Sequence, residues 1–313
     1  MEQVLRYVYQ VYLDRNFTKA AEHMNICQPT MSLAIKKLES FIGAPLFDRS
    51  SRNLELTEIG QAYIRFIKKS MLIEDDLEAE TSDIIEGEKG VVRIGGTHYI
   101  NSYVISDVLT SFFKSHPNVE IKLEETGSEK LSQMFYDGMI DVMFSCNQNL
   151  VENNRHYHVF DDYILIAAND DVLPNDDRLL EYALTASDII NGKHKCPDCP
   201  KISIESFKSL PFIILSEGNN LRQRCFNMFA EKNIKPNIAL ELSQLATAYS
   251  LAAHGFAATF ISDRLVKNTP SKLRFFMLDS DETRRSFHII FSDSRYISHA
   301  VKAFIDEIRA SLV

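Results

Sequence analysis

No stretch of this 313-residue chain is apolar for long enough to cross a bilayer. The longest mostly apolar run, residues 249–261, contains His254 and falls short of the ~20 residues a spanning helix needs. Charges and tyrosines interrupt the first turns, so no secretory leader opens the chain, and a cytoplasmic protein with no membrane partner is expected. There are five cysteines, an odd number in a long chain, which favours reduced thiols over a disulfide framework. Also missing are a Walker loop, a Gly-x-Ser-x-Gly turn and a His-Glu-x-x-His pair, so no catalytic set stands out. An acid–base pair drawn from distant segments would leave no such mark. The expectation is a non-enzyme that requires no cofactor.

What is present is ordinary for a globular chain: 45% apolar and 25% charged residues, in a length that suits two or three domains. The net charge of −9 is unevenly spread. Residues 1–69 carry +3 and the remainder −12, so a basic excess sits at one end of an otherwise acidic chain. An acidic remainder would repel nucleic acid from the wrong face.

Residues 16–60 hold the densest signal. Thr18 before Lys19-Ala20-Ala21-Glu22 reads as the cap of a short helix whose alanines permit close packing. Asn25-Ile26-Cys27 interrupts it, and Gln28-Pro29 opens a second helix, where Pro is tolerated in the first turn. Met31, Ile35, Leu38 and Ile42 form its apolar stripe. Gln28, Thr30, Ser32, Leu33, Lys36 and Lys37 take the other side. Two helices joined by a tight turn, the second with a polar and basic outer face, suit the major groove of DNA. Leu54 and Leu56 alternate as on a strand, and Ser50-Ser51 make a turn, which suggests a small wing with Arg49 and Arg52 near its tip, placed to meet phosphates. Residues 1–14 add a helical stripe, Val4, Leu5, Val8, Val11 and Tyr12, read as a support helix.

This stretch resembles the DNA-binding domain of the LysR-type transcriptional regulators. The resemblance rests on Phe17, Thr18, Ala20, Ala21, Gln28, Pro29, Ser32, Ile35, Lys37, Leu38, Glu39, Gly43, Leu46, Phe47, Arg49, Leu56, Thr57 and Gly60. It implies a winged helix-turn-helix over residues 1–60 that binds a two-fold related site on double-stranded DNA. Its expected contacts are Thr18, Gln28, Pro29, Thr30, Ser32, Leu33, Lys36, Lys37, Arg49 and Arg52. Two positions depart from the family pattern. Cys27 stands where a capping Ser is usual, which predicts a poorly capped recognition helix, and Leu33 stands where a basic residue is common.

Residues 58–86 form a long helical pattern. Ile59, Tyr63, Phe66, Ser70, Ile73, Leu77, Glu80 and Ile84 recur in steps of four and three, a coiled-coil-like seam on a helix roughly 40 Å long. It resembles the family's linker helix, residues 61–89 here, and implies a homodimer or homotetramer. Gly87-Glu88-Lys89-Gly90 ends it.

Beyond residue 90, strand and helix patterns alternate, which predicts α/β architecture with parallel sheets. Strands are expected at 91–94, 119–124, 140–145, 163–168, 212–215 and 257–261. Helices are expected after the loop 95–99 to about 114, from 128, and over 221–232, 245–254 and 298–312. Gly90 through Gly95, Phe112 through Pro117, Gly138 through Asp141 and Ala253 through Gly255 resemble the family's effector-binding domain. That domain has two α/β lobes around a cleft, in the manner of periplasmic binding proteins. Lobe I is expected at 90–163 and 268–313, and lobe II at 164–267.

Ligands of open α/β sheets bind beyond the carboxyl ends of strands. Loops 95–101, 126–128, 145–147 and 216–220 fit that place, and three of them lead into helix N-termini, which attract anions. A small, anionic effector is therefore expected on Thr97, His98, Tyr99, Asn101, Thr126, Ser128, Cys146, Ser216, Asn219 and Asn220. Many of these residue types also serve as plain turn and cap residues.

Residues 175–206 are longer than this lobe needs and contain His194, Cys196 and Cys199. Cys-x-x-Cys with a neighbouring His is half of a zinc site, and lysines at 193 and 195 could activate a thiol. Inert loop, metal site and redox switch all remain open. The alternative function is a thiol- or zinc-dependent enzyme, or a redox or metal sensor, using Cys196 and Cys199 with the DNA-binding domain as its regulator.

Overall fold

The computed structural model describes residues 2–48, 54–87, 89–267 and 272–312. It divides into two compact units, Met1–Thr81 and Ser82–Val313.

The first unit packs α1 (Glu2–Asp14), α2 (Phe17–His23) and α3 (Gln28–Ile42) around Val8, Val11, Ala20, Met31, Ile35 and Leu46, all fully buried. The apolar stripe of α3 divides as a helical face should: Met31 and Ile35 are buried at its centre, Leu38 and Ile42 half-buried toward its end. The start of α2 differs from expectation. Asn16, not Thr18, is the cap: its side-chain oxygen accepts from the Thr18 and Lys19 amides at 2.9 and 3.1 Å. Asn caps at least as well as Thr, and packing of Phe17 edge-on against Phe47 places Phe17 inside the first turn. Cys27 caps α3 without any side-chain bond to its amides, and Gly43 closes it in a left-handed conformation.

The wing base is the antiparallel pair β1 (Phe47–Asp48) and β2 (Glu55–Leu56). The expected wing contacts Arg49 and Arg52 lie outside the described residues. Gly60, in the first turn of α4 (Glu58–Glu86), must lack a side chain, because a Cβ there would sit 2.0 Å from the Leu46 carbonyl oxygen.

The second unit runs β3 (Gly90–Gly96), α5 (His98–Tyr103), α6 (Ser106–Ser115), β4 (Val119–Glu125), α7 (Ser128–Tyr136), β5 (Val142–Ser145), α8 (Gln148–Glu152) and β6 (Arg155–Asn169). It continues through α9 (Asp177–Leu180), α10 (Ala186–Ile190), β7 (Lys201–Ile202), β8 (Pro211–Leu215), α11 (Asn220–Glu231), β9 (Asn237–Leu242) and α12 (Leu245–Ala253). β10 (Ala258–Ser262), β11 (Leu273–Leu278), β12 (Arg284–Phe291) and α13 (His299–Leu312) complete it.

The parallel sheets expected from the alternating pattern are in fact mixed. β3 pairs in parallel with β4 and β5, and β8 with β9 and β10. β12 is antiparallel to both β5 and β6, and β6 is antiparallel to β10 and β11. The cause is the connection. The chain passes from one lobe to the other along a single 15-residue strand, β6, whose first part pairs with β12 and whose second part pairs with β10 and β11. A strand that carries on straight needs no helical crossover, so its neighbours return antiparallel. Placing residues 268 onward in the first lobe also needs correcting: β11 pairs with β6 at residues 165–169 and with β7, so it belongs to the second sheet, and the return begins at β12. The helix expected after residue 99 and running to about 114 is two helices, the first already starting at His98, broken at Val104-Ile105, both of which are buried.

Candidate functional site

The outer face of α3 presents Pro29, Thr30, Leu33, Lys36 and Lys37 to solvent, with Gln28 and Ser32 half-buried. Thr18 is exposed in the first turn of α2. Leu33 stands 56% exposed although apolar, beside the two lysines. The Thr30 hydroxyl lies 2.9 Å from the Cys27 sulfur, and that hydrogen bond holds the thiol below its usual value. The surface is an exposed helix with polar, basic and apolar groups in one strip, the composition that reads base edges and phosphates.

In the second unit, a cleft of about 930 Å³ lies between the lobes, lined by loops at the carboxyl ends of β3, β4, β5 and β8. Of the residues expected there, Thr97, His98, Tyr99, Thr126, Ser128, Cys146, Ser216, Asn219 and Asn220 line it. Asn101 does not: it is buried and donates to the Gly96 carbonyl and to Glu125 at 3.2 and 3.3 Å. Several of the lining groups already have partners. Thr97 caps α5, Asn219 caps α11, and His98 Nδ1 lies 3.2 Å from Glu125. Cys146 donates to the Asn220 side-chain oxygen at 3.1 Å, and burial pushes its thiol up.

Tyr99 belongs to a buried network between the lobes. Its hydroxyl donates to Asp162 at 2.7 Å and accepts from Ser262 at 2.8 Å, while Ser262 lies 2.9 Å from Asp162. Arg285 closes the network with a 2.8 Å bond to the same carboxylate oxygen. Burial and the Asp162 charge push the Tyr99 hydroxyl well above its usual value. Burial would lower Arg285, but the adjacent Asp162 outweighs it, so the guanidinium stays charged. The Arg285 side chain is 5% exposed, its Nε has no hydrogen-bond partner among the described residues, and it lines the cleft. Arg285 and Phe287, both on β12, are residues that the sequence reading missed. The signal was available: residues 284–291, RRSFHIIF, are rich in β-branched and aromatic types.

The Cys-x-x-Cys loop is taken up structurally. His194 is buried and its Nε2 sits 2.9 Å from Asp263, which Lys195 also meets at 3.1 Å. Burial would raise Asp263, but bonds from His194 and the Tyr163 amide, with the Lys195 charge, hold it low. Cys196 is exposed and Cys199 buried. Burial raises the Cys199 thiol despite Lys193, so the nearby lysines do not activate it. Among the described residues, no three His, Cys, Asp or Glu side chains are gathered around one metal position in the conformation seen. No described helix is long and apolar enough to cross a membrane.

A winged helix-turn-helix and a two-lobed α/β unit with an interlobe cleft define the chain as a DNA-binding transcription regulator with an effector-binding domain. Comparison with known families agrees. Residues 3–61 match the bacterial regulatory helix-turn-helix protein, lysR family, and residues 86–313 match the LysR substrate binding domain. The chain belongs to the LysR family of transcriptional regulators. It is 28% identical to the HTH-type transcriptional regulator YcgK of Bacillus subtilis, over 99% of this chain and 94% of that one. It also shares its fold with a full-length OxyR variant of Pseudomonas aeruginosa, at TM-score 0.65 and 19% identity over 99% of this chain and 94% of the other. Full-length CbnR complexed with its target DNA has TM-score 0.62 and 16% identity, covering 99% of both chains. The regulator reading thus stands over the thiol- or zinc-enzyme alternative.

Proposed function

We propose that this regulator responds to a small anionic molecule held between the two lobes, and that it acts on DNA as a homodimer or homotetramer. One observation carries the effector reading: the nearly buried guanidinium of Arg285, paired with Asp162 but with an Nε that has no hydrogen-bond partner among the described residues, lines a cleft whose other walls carry hydroxyl, amide and apolar groups. A cation in low dielectric attracts an anion strongly, and a few polar groups in an apolar cleft fix orientation. The N-termini of α7 and α11 border the same cleft from opposite lobes and add partial positive charge. Glu125, Glu129 and Glu217 also line it, which would select against large polyanions.

The DNA site is proposed on Gln28, Pro29, Thr30, Ser32 and Leu33 for base edges and on Lys36 and Lys37 for phosphates, with Thr18 beside them. CbnR, whose fold this chain shares, is seen on its target DNA. Assembly is proposed through α4, whose seam residues Phe66, Ile73, Leu77 and Ile84 are all more than half exposed. The protein is read as a cytoplasmic non-enzyme.

The effector reading is tested by calorimetric titration of the full-length protein with small carboxylates and phosphates, alongside Thr97→Ala and Asn220→Ala. Each substitution should weaken the anion by about tenfold, the loss of ~1 kcal/mol in hydrogen bonding. A ligand that is neutral and indifferent to both substitutions would overturn it.

A further inference from the structure

The loop that grips Asp263 also carries two thiols that neither that grip nor the cleft uses. Residues 196–199, Cys-Pro-Asp-Cys, form a hydrogen-bonded turn, in which the Cys199 amide donates to the Cys196 carbonyl at 3.1 Å. Pro197 stands second in that turn, where its fixed φ suits the commonest turn types. The turn is held at both ends. Before it, the Lys195 and Cys196 amides donate to the Gly192 and Lys193 carbonyls at 2.9 and 3.1 Å. After it, Lys201 and Ile202 pair with Met277 and Leu278 of β11. A closed turn brings its first and last Cα atoms within about 7 Å, and a disulfide spans roughly 4.4–6.8 Å between Cα atoms. The backbone therefore suits a bond between the two cysteines without rearrangement of the strands beside them.

The two thiols differ in surroundings. Cys196 is exposed, whereas Cys199 is only 7% exposed. Among the described residues, each thiol donates to one nearby carbonyl, Cys196 to Gly192 at 3.9 Å and Cys199 to Pro200 at 3.7 Å. These are long contacts from a weak donor, so a bond between the sulfurs gives up little. The other three cysteines stand elsewhere. Cys27 belongs to the first unit, Cys146 lines the cleft and Cys225 is buried on α11.

We propose that Cys196 and Cys199 form a thiol–disulfide redox site, oxidised by low-molecular-weight disulfides and restored by small thiols. The Cys196 thiolate attacks one sulfur of the disulfide RSSR. The S–S bond breaks, RS⁻ leaves and takes up a proton, and a mixed disulfide stands at Cys196. Cys199 then gives up its proton and attacks the Cys196 sulfur, expelling the second RS⁻, which is protonated in turn. The pair loses two electrons and two protons, and RSSR becomes two RSH. Exposure assigns the order: Cys196 meets the reagent and Cys199 resolves the intermediate. Burial raises the Cys199 thiol and so keeps its thiolate scarce, which proximity within a four-residue turn offsets. In the reverse direction the same raised thiol is a slow leaving group, so the disulfide persists once formed. The turn follows directly on His194 and Lys195, which hold Asp263, and Asp263 follows Ser262 of the interlobe network. The site thus lies beside the contacts that back the cleft.

The test treats reduced, native full-length protein with oxidised glutathione, quenches with acid and maps tryptic peptides by mass. Cleavage after Lys195 and Lys201 puts both cysteines in one peptide, residues 196–201. That peptide should become two hydrogens lighter, carry no glutathione, and return to its first mass with dithiothreitol. Cys199→Ser should stop at the mixed disulfide and keep one glutathione on Cys196. Cys196→Ser should react at residue 199 at least about tenfold more slowly than Cys199→Ser reacts at residue 196, because the remaining thiol is shielded. Because Cys196 is exposed, its variant is expected to fold whatever the pair does. A parent peptide that keeps both thiols, glutathione that stays on it, or a link from either cysteine to another cysteine or another chain would each overturn the site.

Discussion

Ser128 and Gly218 join the two lobes directly: the Ser128 hydroxyl donates to the Gly218 carbonyl at 3.0 Å. The same hydroxyl accepts from the Asn220 amide at 3.1 Å, and the Glu129 amide donates to Gly218 at 3.2 Å. Donors at the starts of α7 and α11 are thus partly spent on the opposite lobe. Gly127 also suits this contact, because a Cβ there would come within 3.4 Å of the Gly218 oxygen. Ser128→Ala removes two interlobe hydrogen bonds, worth ~1 kcal/mol each, so the closed arrangement should lose about tenfold or more in population ratio. Spin labels at Gln133 and Gln223 should report a longer, broader distance in the variant. An unchanged distribution would show that the bonds do not hold the lobes together.

On the recognition helix, Lys36→Ala should weaken binding to all DNA sequences and reduce the slope of log affinity against log salt by about one. Gln28→Ala should instead relax preference at a single base position. Binding measured across a salt series on specific and scrambled duplexes separates the two. The phosphate role fails if Lys36→Ala leaves the slope as it was.

Cys27 leaves the start of α3 uncapped. Cys27→Ser, with an oxygen acceptor at the same place, should stabilise the first unit by about 0.5–1 kcal/mol. Urea unfolding followed by circular dichroism would register this as a higher midpoint. A lower midpoint would mean that the Cys27–Thr30 contact matters more than the missing cap.

On α4, Phe66 and Leu77 are 53% and 65% exposed. Replacing both with Glu should leave the second unit folded and reduce the mass measured by light scattering to that of a monomer or a smaller assembly. Assembly at parental mass and affinity would place the interface elsewhere.

The DNA-binding unit was the most legible part, because its marks are local. A helix bonds residue to residue over four positions, so the spacing of Met31, Ile35, Leu38 and Ile42 contained the buried face of α3 within one short stretch. The missing cap at Cys27 was expected because the residue departs from the capping Ser usual in the family it resembles. Even here, the choice between Asn16 and Thr18 as cap needed the position of Phe47, thirty residues on. The cleft loops were found from strand ends, yet Asn101 turned inward because Gly96 and Glu125 offered it partners.

By itself, the sequence determined the helix-turn-helix, the buried face of α3, the long helix α4 and the family. Tertiary structure decided the rest, because a strand acquires its partners from far away. Arg285 meets Asp162 across 123 residues, and no local pattern announces that pairing. Nor does periodicity show that β6 serves two sheets, or that β11 stays with the second. A one-residue shift in a ladder moves a side chain to the opposite face. The shift between Phe287 and His288 in the β6–β12 ladder is such a case: what the sequence shows as three separated histidines, 156, 158 and 288, the paired strands gather on one side of a sheet.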